Sequence, residues 1–155
     1  MRTIKTVIIG LSLIAINSMT FADDAPKPPP FGIKLLPGYE HEPKQGFDSI
    51  VGVIGKKDGL TIMYEIGRVP KPGGLALGGD FSDRPKQLRP EQREWYKEQV
   101  LGGKQMHVAL AKDKGLYVSF PESGINFSVT IKSFDELTDA LLMICSYSPP
   151  AAKPD

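Results

Sequence analysis

The sequence contains few of the residues that form disulfides or bind metals. Among its 155 residues it has one cysteine, Cys145, and two histidines, His41 and His107. A single cysteine cannot form a disulfide within the chain, so the fold must depend on its hydrophobic core. Lys plus Arg number 19 and Asp plus Glu number 18, so the chain also lacks the basic excess that non-specific nucleic-acid binding requires. We therefore expect no nucleic-acid partner.

The chain also lacks an apolar run that is long enough to span a bilayer comfortably. A mostly apolar stretch at residues 7–16 follows Arg2, and it is about half as long as the roughly 20 residues that a transmembrane helix needs. A basic start, a short apolar region and the small residues Thr20 and Ala22 are typical of a secretory signal peptide, with an uncleaved anchor as the alternative. We predict a signal peptide at residues 1–22 and a periplasmic or secreted mature protein without a membrane span.

Proline-rich stretches flank the remainder of the chain. Residues 23–30 end in three consecutive prolines, and prolines also recur in residues 148–155. Proline fixes φ and lacks an N–H, so such stretches disfavour a helix and stay extended. We predict a Pro-rich leader at residues 23–30, a single folded domain at residues 31–147 and a mobile tail at residues 148–155.

Between these ends the chain has the pattern of antiparallel hairpins. Asp58 and Gly59, which adopt positive φ easily, separate two runs that are rich in β-branched residues, and this is a strong hairpin signal. A second hairpin turns at residues 112–115, and a further strand follows in which apolar and polar residues alternate. The predicted strands are residues 50–55, 60–66, 105–111, 116–120 and 125–131.

Two helices are predicted on either side of the second hairpin. Pro90 suits a first helical position and Gly102 suits a C-terminal stop, which predicts a helix over residues 90–101 with Trp95 as its main apolar anchor. The second helix begins after Ser133, with Glu136 completing a capping box. Its predicted buried stripe is formed by Leu137, Leu141, Ile144 and Cys145.

These elements define the predicted fold class. Strands outnumber helices and hairpins dominate, so we predict an α+β domain. It consists of an antiparallel sheet of about five strands built from hairpins, with the C-terminal helix packed on one face.

Three short strings resemble those of a family of small, uncharacterised secreted bacterial proteins. They lie at residues 37–40 (PGYE), 48–52 (DSIVG) and 58–67 (DGLTIMYEIG). The resemblance implies an exported stand-alone domain and supplies no catalytic residue. The succession of hairpins, a strand and a closing helix is also similar, at the level of fold alone, to PsbP-like proteins of the photosynthetic oxygen-evolving complex.

The long connection between the two hairpin regions is the predicted contact surface. Residues 67–88 exceed the length that a passive connection needs, and long loops often carry function. Basic side chains in and beside this loop would suit a protein partner or an anionic envelope polymer. They are Arg68, Lys71, Arg84, Lys86 and Arg89.

Residue patterns for catalysis or for metal binding are weak. His41 lies near Asp48 in an acidic cluster, but His107 is far along the chain and no helical HExxH pattern is present, so we expect no metal and no cofactor. No serine lies in a Gly-x-Ser-x-Gly elbow. We therefore predict an exported, non-enzymatic binding or interaction module of a bacterial envelope.

Two alternatives remain open at this point. One is a small envelope hydrolase that uses His41 or His107 with Asp48. The other is a carrier of an apolar ligand held between the sheet and the helix. Its cavity would be lined by Met63, Met106, Met143 and Phe127.

Overall fold

Seven antiparallel strands form a single sheet in the part of the chain that the computed structural model describes, namely residues 28–29, 32–67 and 81–148. The order across the sheet is β1-β2-β3-β7-β6-β5-β4. The predicted signal peptide, most of the leader, most of the tail, and Arg68 and Lys71 lie outside the described residues. The strands are β1 (Glu40–Lys44), β2 (Ile50–Gly55), β3 (Thr61–Ile66), β4 (Arg93–Leu101), β5 (Lys104–Ala111), β6 (Gly115–Phe120) and β7 (Ile125–Thr130).

All five predicted strands are present, and their turns have the expected backbone. Asp58 has φ 58° in the turn between β2 and β3, and Lys114 has φ 67° in the turn between β5 and β6. Left-handed conformations of this kind let two-stranded antiparallel pairs twist correctly. The α+β class is therefore confirmed, although the sheet has seven strands rather than about five.

The predicted helix over residues 90–101 is wrong. Pro90–Gln92 forms only a 3₁₀ turn, and the chain continues as β4 along the edge of the sheet, with a bulge between Arg93 and Trp95. Pairing with the whole length of β5 outweighs the helical end signals, since β propensity and packing depend on the neighbouring strand.

One face of the sheet is covered by the C-terminal helix α2 (Phe134–Cys145). Ser133 Oγ accepts a hydrogen bond from the Glu136 backbone N–H at 3.2 Å, which confirms Ser133 as the cap. The Glu136 side chain accepts from the Lys132 backbone N–H at 2.6 Å and so does not complete the predicted capping box. The prediction that Cys145 is buried is wrong: it is exposed, because it lies about 160° around the helix from the fully buried Met143. Within the described residues no helix combines the length and the hydropathy that crossing a membrane requires.

The two faces of the sheet have different compositions, because successive strand residues point to opposite sides. The core face packs against α2 and carries fully buried apolar side chains, among them Ile62, Leu116 and Phe127. The outer face carries polar side chains, and Met63 on this face is 58% exposed. Met63 and Phe127 therefore lie on opposite faces, and the four residues proposed for an apolar cavity do not line one space.

A short helix, α1 (Arg84–Gln87), lies against β5 and β6. It follows the long connection, and residues 81–83 lead into it. Pro85 of this helix is buried, so this end of the connection is docked on the domain.

Candidate functional site

A row of polar side chains crosses the outer face at one level of the sheet. Glu98 is paired with His107, His107 with Ser119, Ser119 with Asn126, and Asn126 with Glu65. Directly opposed residues on neighbouring antiparallel strands have their Cβ atoms about 5 Å apart, so these side chains are neighbours. We call these five residues the polar row.

Asp83 binds the centre of the polar row. Its Oδ1 accepts a hydrogen bond from Ser119 Oγ at 2.8 Å, and its Oδ2 lies 2.5 Å from His107 Nδ1. Since a carboxylate only accepts hydrogen bonds, the proton lies on Nδ1. His107 and Ser119 are both fully buried, and Asp83 satisfies one polar group of each.

The adjacent residues of the connection are held by the other half of the polar row. Asn126 Oδ1 accepts from the Arg84 backbone N–H at 3.2 Å, and Asn126 Nδ2 donates to the Ser82 carbonyl at 2.9 Å. Arg84 Nη2 donates to Glu65 Oε2 at 2.8 Å. The polar row therefore fastens the docked end of the connection across the sheet.

Glu98 forms the far end of the polar row and lies at the edge strand. Tyr96 Oη donates to Glu98 Oε1 at 2.7 Å, and Lys86 Nζ lies 3.3 Å from the same oxygen. The hydrogen bond from Tyr96, followed by the one from Lys86, lowers the pKa of Glu98. Desolvation, followed by the hydrogen bond to Glu98, raises the pKa of Tyr96.

Asp83, His107 and Ser119 have the residue types of a hydrolytic triad but not its arrangement. In such a triad the serine bonds to the imidazole, and the carboxylate binds the other ring nitrogen. Here Ser119 bonds to Asp83, and His107 Nε2 is buried with no hydrogen-bond partner among the described residues, 3.8 Å from Glu98 Oε2. Neither the buried hydroxyl nor the buried nitrogen is open to a substrate, so the geometry supports a role in positioning the connection.

The second histidine lies on the opposite side of the sheet. His41 belongs to β1, and its Nε2 lies 2.8 Å from Tyr64 Oη on the core face, with the two rings stacked at 5.7 Å. His41 and His107 therefore cannot ligate one ion. Among the described residues no group of three or more His, Cys, Asp or Glu side chains is placed to hold a metal.

Asp48, the predicted partner of either histidine, is exposed in the turn between β1 and β2. It lies four strand positions from β5, a distance of roughly 19 Å across the sheet. The carboxylate that contacts His107 is Asp83 instead.

The basic side chains of the predicted contact loop are partly engaged within the domain. Arg84 pairs with Glu65, Lys86 with Glu98, and Arg89 with Glu91, the last at 3.3 Å between Nε and Oε1. In each of the three pairs at least one of the two side chains is more than half exposed, and ion pairs of this kind contribute little to stability. They can exchange their partner for an external carboxylate at small cost.

Beside the polar row, an open groove of about 760 Å³ lies on the outer face. It follows β3 from Thr61 to Glu65, a length of about 13 Å at the usual rise per residue. We call it the outer groove. Its lining includes apolar side chains and hydroxyl groups, namely Val51, Val53, Met63, Tyr117, Ser128 and Thr130.

Cationic side chains lie at both ends of the outer groove. Lys44 and Arg84 line one end together with the carboxylate of Glu65, while Lys132 lines the other end together with Glu136. Lys44 forms an ion pair with Glu42 on the same strand. An elongated ligand with an apolar middle and an acidic group would therefore meet complementary chemistry along the groove.

Local sequence patterns do not single out Asp83, Ser119 or Asn126 as members of one site. Their adjacency depends on the register of three strands and on the path of a long connection. The only signal in the sequence is that polar residues occupy alternate positions in otherwise apolar strands at Ser119 and Asn126.

Comparison of the chain with protein-family models, with curated proteins and with solved structures found no match. The resemblance to small secreted bacterial proteins and the similarity to PsbP-like folds therefore stay predictions.

Proposed function

We propose that this chain is an exported, non-enzymatic binding module of a bacterial envelope, periplasmic or secreted, that holds an extended protein segment in the outer groove. The partner segment carries at least one carboxylate beside apolar side chains. The observation that carries the proposal is the outer groove itself, a long open space with an apolar middle and more cations than carboxylates at its ends, namely Lys44, Arg84 and Lys132 against Glu65 and Glu136.

The dimensions of the outer groove suit an extended peptide. About 13 Å corresponds to four residues of a strand, whose side chains alternate between the groove and solvent. Met63 is largely exposed in the middle of the groove and offers an apolar contact. Methionine adapts its shape to different partners, which suits a surface that accepts a segment rather than a single small molecule.

The basic residues of the predicted contact loop are a second argument for binding in the outer groove. Arg84 belongs to that loop and also lines the outer groove. Its ion pair with Glu65 is exposed, so a partner carboxylate can replace Glu65 on the guanidinium. Arg68 and Lys71, which precede the described residues of α1, supply further positive charge to the same loop.

A direct binding measurement tests the proposal. The probe is a fluorescein-labelled hexapeptide of alternating valine and glutamate, titrated with the protein while anisotropy is recorded. We expect saturable binding that Met63→Glu weakens at least tenfold, because a carboxylate then faces the acidic probe in the groove. Leu142→Glu is the matched control, since it makes a similar change at an exposed apolar position outside the groove and away from β4.

Two results would refute this function. One is the absence of saturable binding, and the other is equal loss of binding in Met63→Glu and Leu142→Glu. If an anionic polysaccharide such as alginate displaces the peptide completely and binds more tightly, the partner is an envelope polymer rather than a protein segment.

Export has its own test. Mass spectrometry of the protein recovered from the periplasm of an expressing cell gives the mass of the mature chain. We expect a chain that begins at Asp23, because Thr20 and Ala22 suit signal-peptidase cleavage. A full-length mass in the membrane fraction would instead indicate an uncleaved anchor.

The hydrolase alternative is less well supported, because Ser119 and His107 Nε2 are both buried. Turnover of p-nitrophenyl acetate by the wild-type protein, by His107→Ala and by Asp48→Ala separates the two functions. We expect no difference among the three. A rate that either substitution abolishes, with the fold retained, would favour the hydrolase.

A further inference from the structure

The two edge strands of the sheet differ in how they are protected from pairing with other strands. Among the described strands, β1 is hydrogen-bonded only to β2, and β4 only to β5. β1 has five residues, one of which is Pro43, and three are charged. Short length, charge and proline are the features by which natural sheets block edge pairing. β4 has nine residues and no proline; its bulge lies at its start, between Arg93 and Trp95, and from Trp95 to Leu101 only Lys97 and Glu98 are charged.

β4 also exposes apolar side chains. Trp95 is 37% exposed, Val100 68% and Leu101 37%. These are three of the eight large hydrophobic side chains that are exposed in the described part of the chain. A long edge strand with exposed apolar residues is a template for the addition of another strand.

Symmetry restricts how two copies of β4 can pair. A two-fold axis perpendicular to the sheet brings the two strands together antiparallel and keeps the two helix-covered faces on the same side. Residues that face each other then come from the same face. In each copy Trp95 and Leu101 lie on the core face, while Tyr96, Glu98 and Val100 lie on the outer face.

One register pairs every exposed apolar residue of β4 with an apolar residue. With Glu98 on the axis, Trp95 faces Leu101 of the second copy, and Tyr96 faces Val100. Each contact occurs twice. Moving the axis to Lys97 places Trp95 opposite Gln99, and moving it to Gln99 places Val100 opposite Glu98, so both neighbouring registers lose these contacts.

This register places the two Glu98 carboxylates opposite each other, which by itself is unfavourable. Each of them already has a cation and a hydrogen-bond donor within its own chain, because Lys86 Nζ lies 3.3 Å away and Tyr96 Oη donates at 2.7 Å. Two copies of the Lys86–Glu98 pair give a cluster with no net charge. The central pair is therefore compensated by groups that are already in place.

We propose that β4 is a self-association surface, through which two copies of the chain form a continuous antiparallel sheet with Glu98 on the two-fold axis. The outer groove lies over β2, β3 and β7, towards the end of the strand order that is opposite to β4. Pairing through β4 therefore leaves the groove open. The proposal does not depend on the proposed function.

Disulfide trapping tests the register. In a Cys145→Ser background, Glu98→Cys places its thiol opposite the same thiol of the second copy, within the Cα separation of about 4.4–6.8 Å that a disulfide needs. Oxidation by oxygen with copper phenanthroline, in which two thiols lose two protons and two electrons to oxygen, should give a covalent dimer. Val100→Cys is the matched control, because the two Val100 residues lie about 13 Å apart in this register.

Sedimentation velocity of the full chain tests the interface itself. We expect a dimer that forms with increasing concentration, and self-association that Val100→Lys weakens at least tenfold. Val100 is largely exposed, so this substitution should leave the fold intact, which circular dichroism and the urea midpoint verify. Lys86→Ala should weaken the dimer as well, since it uncovers the repulsion between the two Glu98 carboxylates.

Three results would overturn the proposal. The first is a chain that stays monomeric at millimolar concentration. The second is a dimer whose stability Val100→Lys leaves unchanged. The third is cross-linking of Val100→Cys at the same rate as Glu98→Cys, since this would show random collision of exposed thiols or a different register.

Discussion

The two faces of the sheet are stabilised in different ways. The core face buries apolar side chains under α2, and its contribution comes from burial and close packing. In the described part of the chain the outer face carries no helix of comparable length, and its central feature is the polar row, which binds residues 82–84 by directed hydrogen bonds. Packing therefore maintains the sheet, while hydrogen bonding fixes the path of the connection and leaves the outer groove open.

The largest expected effect is a loss of stability when a side chain on the core face, but not one on the outer face, is truncated to alanine. Phe127 is almost fully buried on the core face, where its ring contacts those of Phe120 and Tyr147. Phe127→Ala should lower the free energy of unfolding by about 3–5 kcal/mol, measured by urea denaturation. Met63→Ala, on the outer face, should change it by less than about 0.5 kcal/mol because Met63 is mostly exposed. Similar losses in the two variants would contradict this distinction between the faces.

The second-largest expected loss of stability tests whether the polar row stabilises the fold. Asp83→Ala leaves His107 Nδ1 and Ser119 Oγ buried without their carboxylate, and each unsatisfied group costs about 1–3 kcal/mol. We expect a total loss of about 3 kcal/mol in urea denaturation. Asp48→Ala, which removes an exposed carboxylate from a turn, is the control and should be nearly neutral. A neutral Asp83→Ala would mean that the polar row does not stabilise the fold, and the hydrolase alternative would gain support.

A smaller effect compares two glycines of β2 that point to opposite faces. A Cβ at Gly52 would lie 2.3 Å from Tyr64 Oη on the core face, whereas a Cβ at Gly55 would meet nothing closer than 3.4 Å. Gly52→Ala should therefore cost about 1–3 kcal/mol through overpacking. Gly55→Ala should be neutral or slightly stabilising, because alanine reduces the entropy of the unfolded chain. Thermal denaturation of the two variants decides the matter, and equal midpoints would show that the core face is not closely packed here.

The contrast between the faces also explains which parts of the structure could be predicted from the sequence. The inner strands are recognisable because β2 is a run of β-branched and apolar residues, β7 alternates apolar and polar residues, and the turns contain Asp58 and Gly59 or Gly115. The edge strands β1 and β4 are exposed over most of their length and show no such alternation, so the sequence pattern favoured a helix for β4.

The polar row could not be predicted from the sequence. His107, Ser119 and Asn126 become neighbours only through the register of β5, β6 and β7, and Asp83 reaches them from a connection whose path no local pattern describes. The outer groove likewise is lined by residues of several strands and of α1, which the tertiary structure brings together.

The smallest expected effect concerns pH and the contact between α2 and the chain segment before β1. Tyr39 is buried and donates a hydrogen bond from its hydroxyl to Asp139 Oδ2 of α2 at 2.8 Å. Desolvation, followed by the bond to Asp139, raises the pKa of Tyr39 to about 12. Because the folded state holds this proton more tightly than the unfolded chain, its contribution to stability is complete below pH 10 and is lost as the pH rises from 10 to 12.

We therefore expect Tyr39→Phe to flatten the decrease in unfolding free energy between pH 10 and pH 12, measured by urea denaturation at each pH. The effect is partial, because burial also raises the pKa of Tyr64 and of Tyr147 on the same side of the sheet. Asp139→Asn should act in the same direction, since it removes the carboxylate that an ionised Tyr39 would face. Identical pH profiles for the wild type and both variants would show that this contact does not hold α2 against the start of β1, and that apolar burial alone covers the core face.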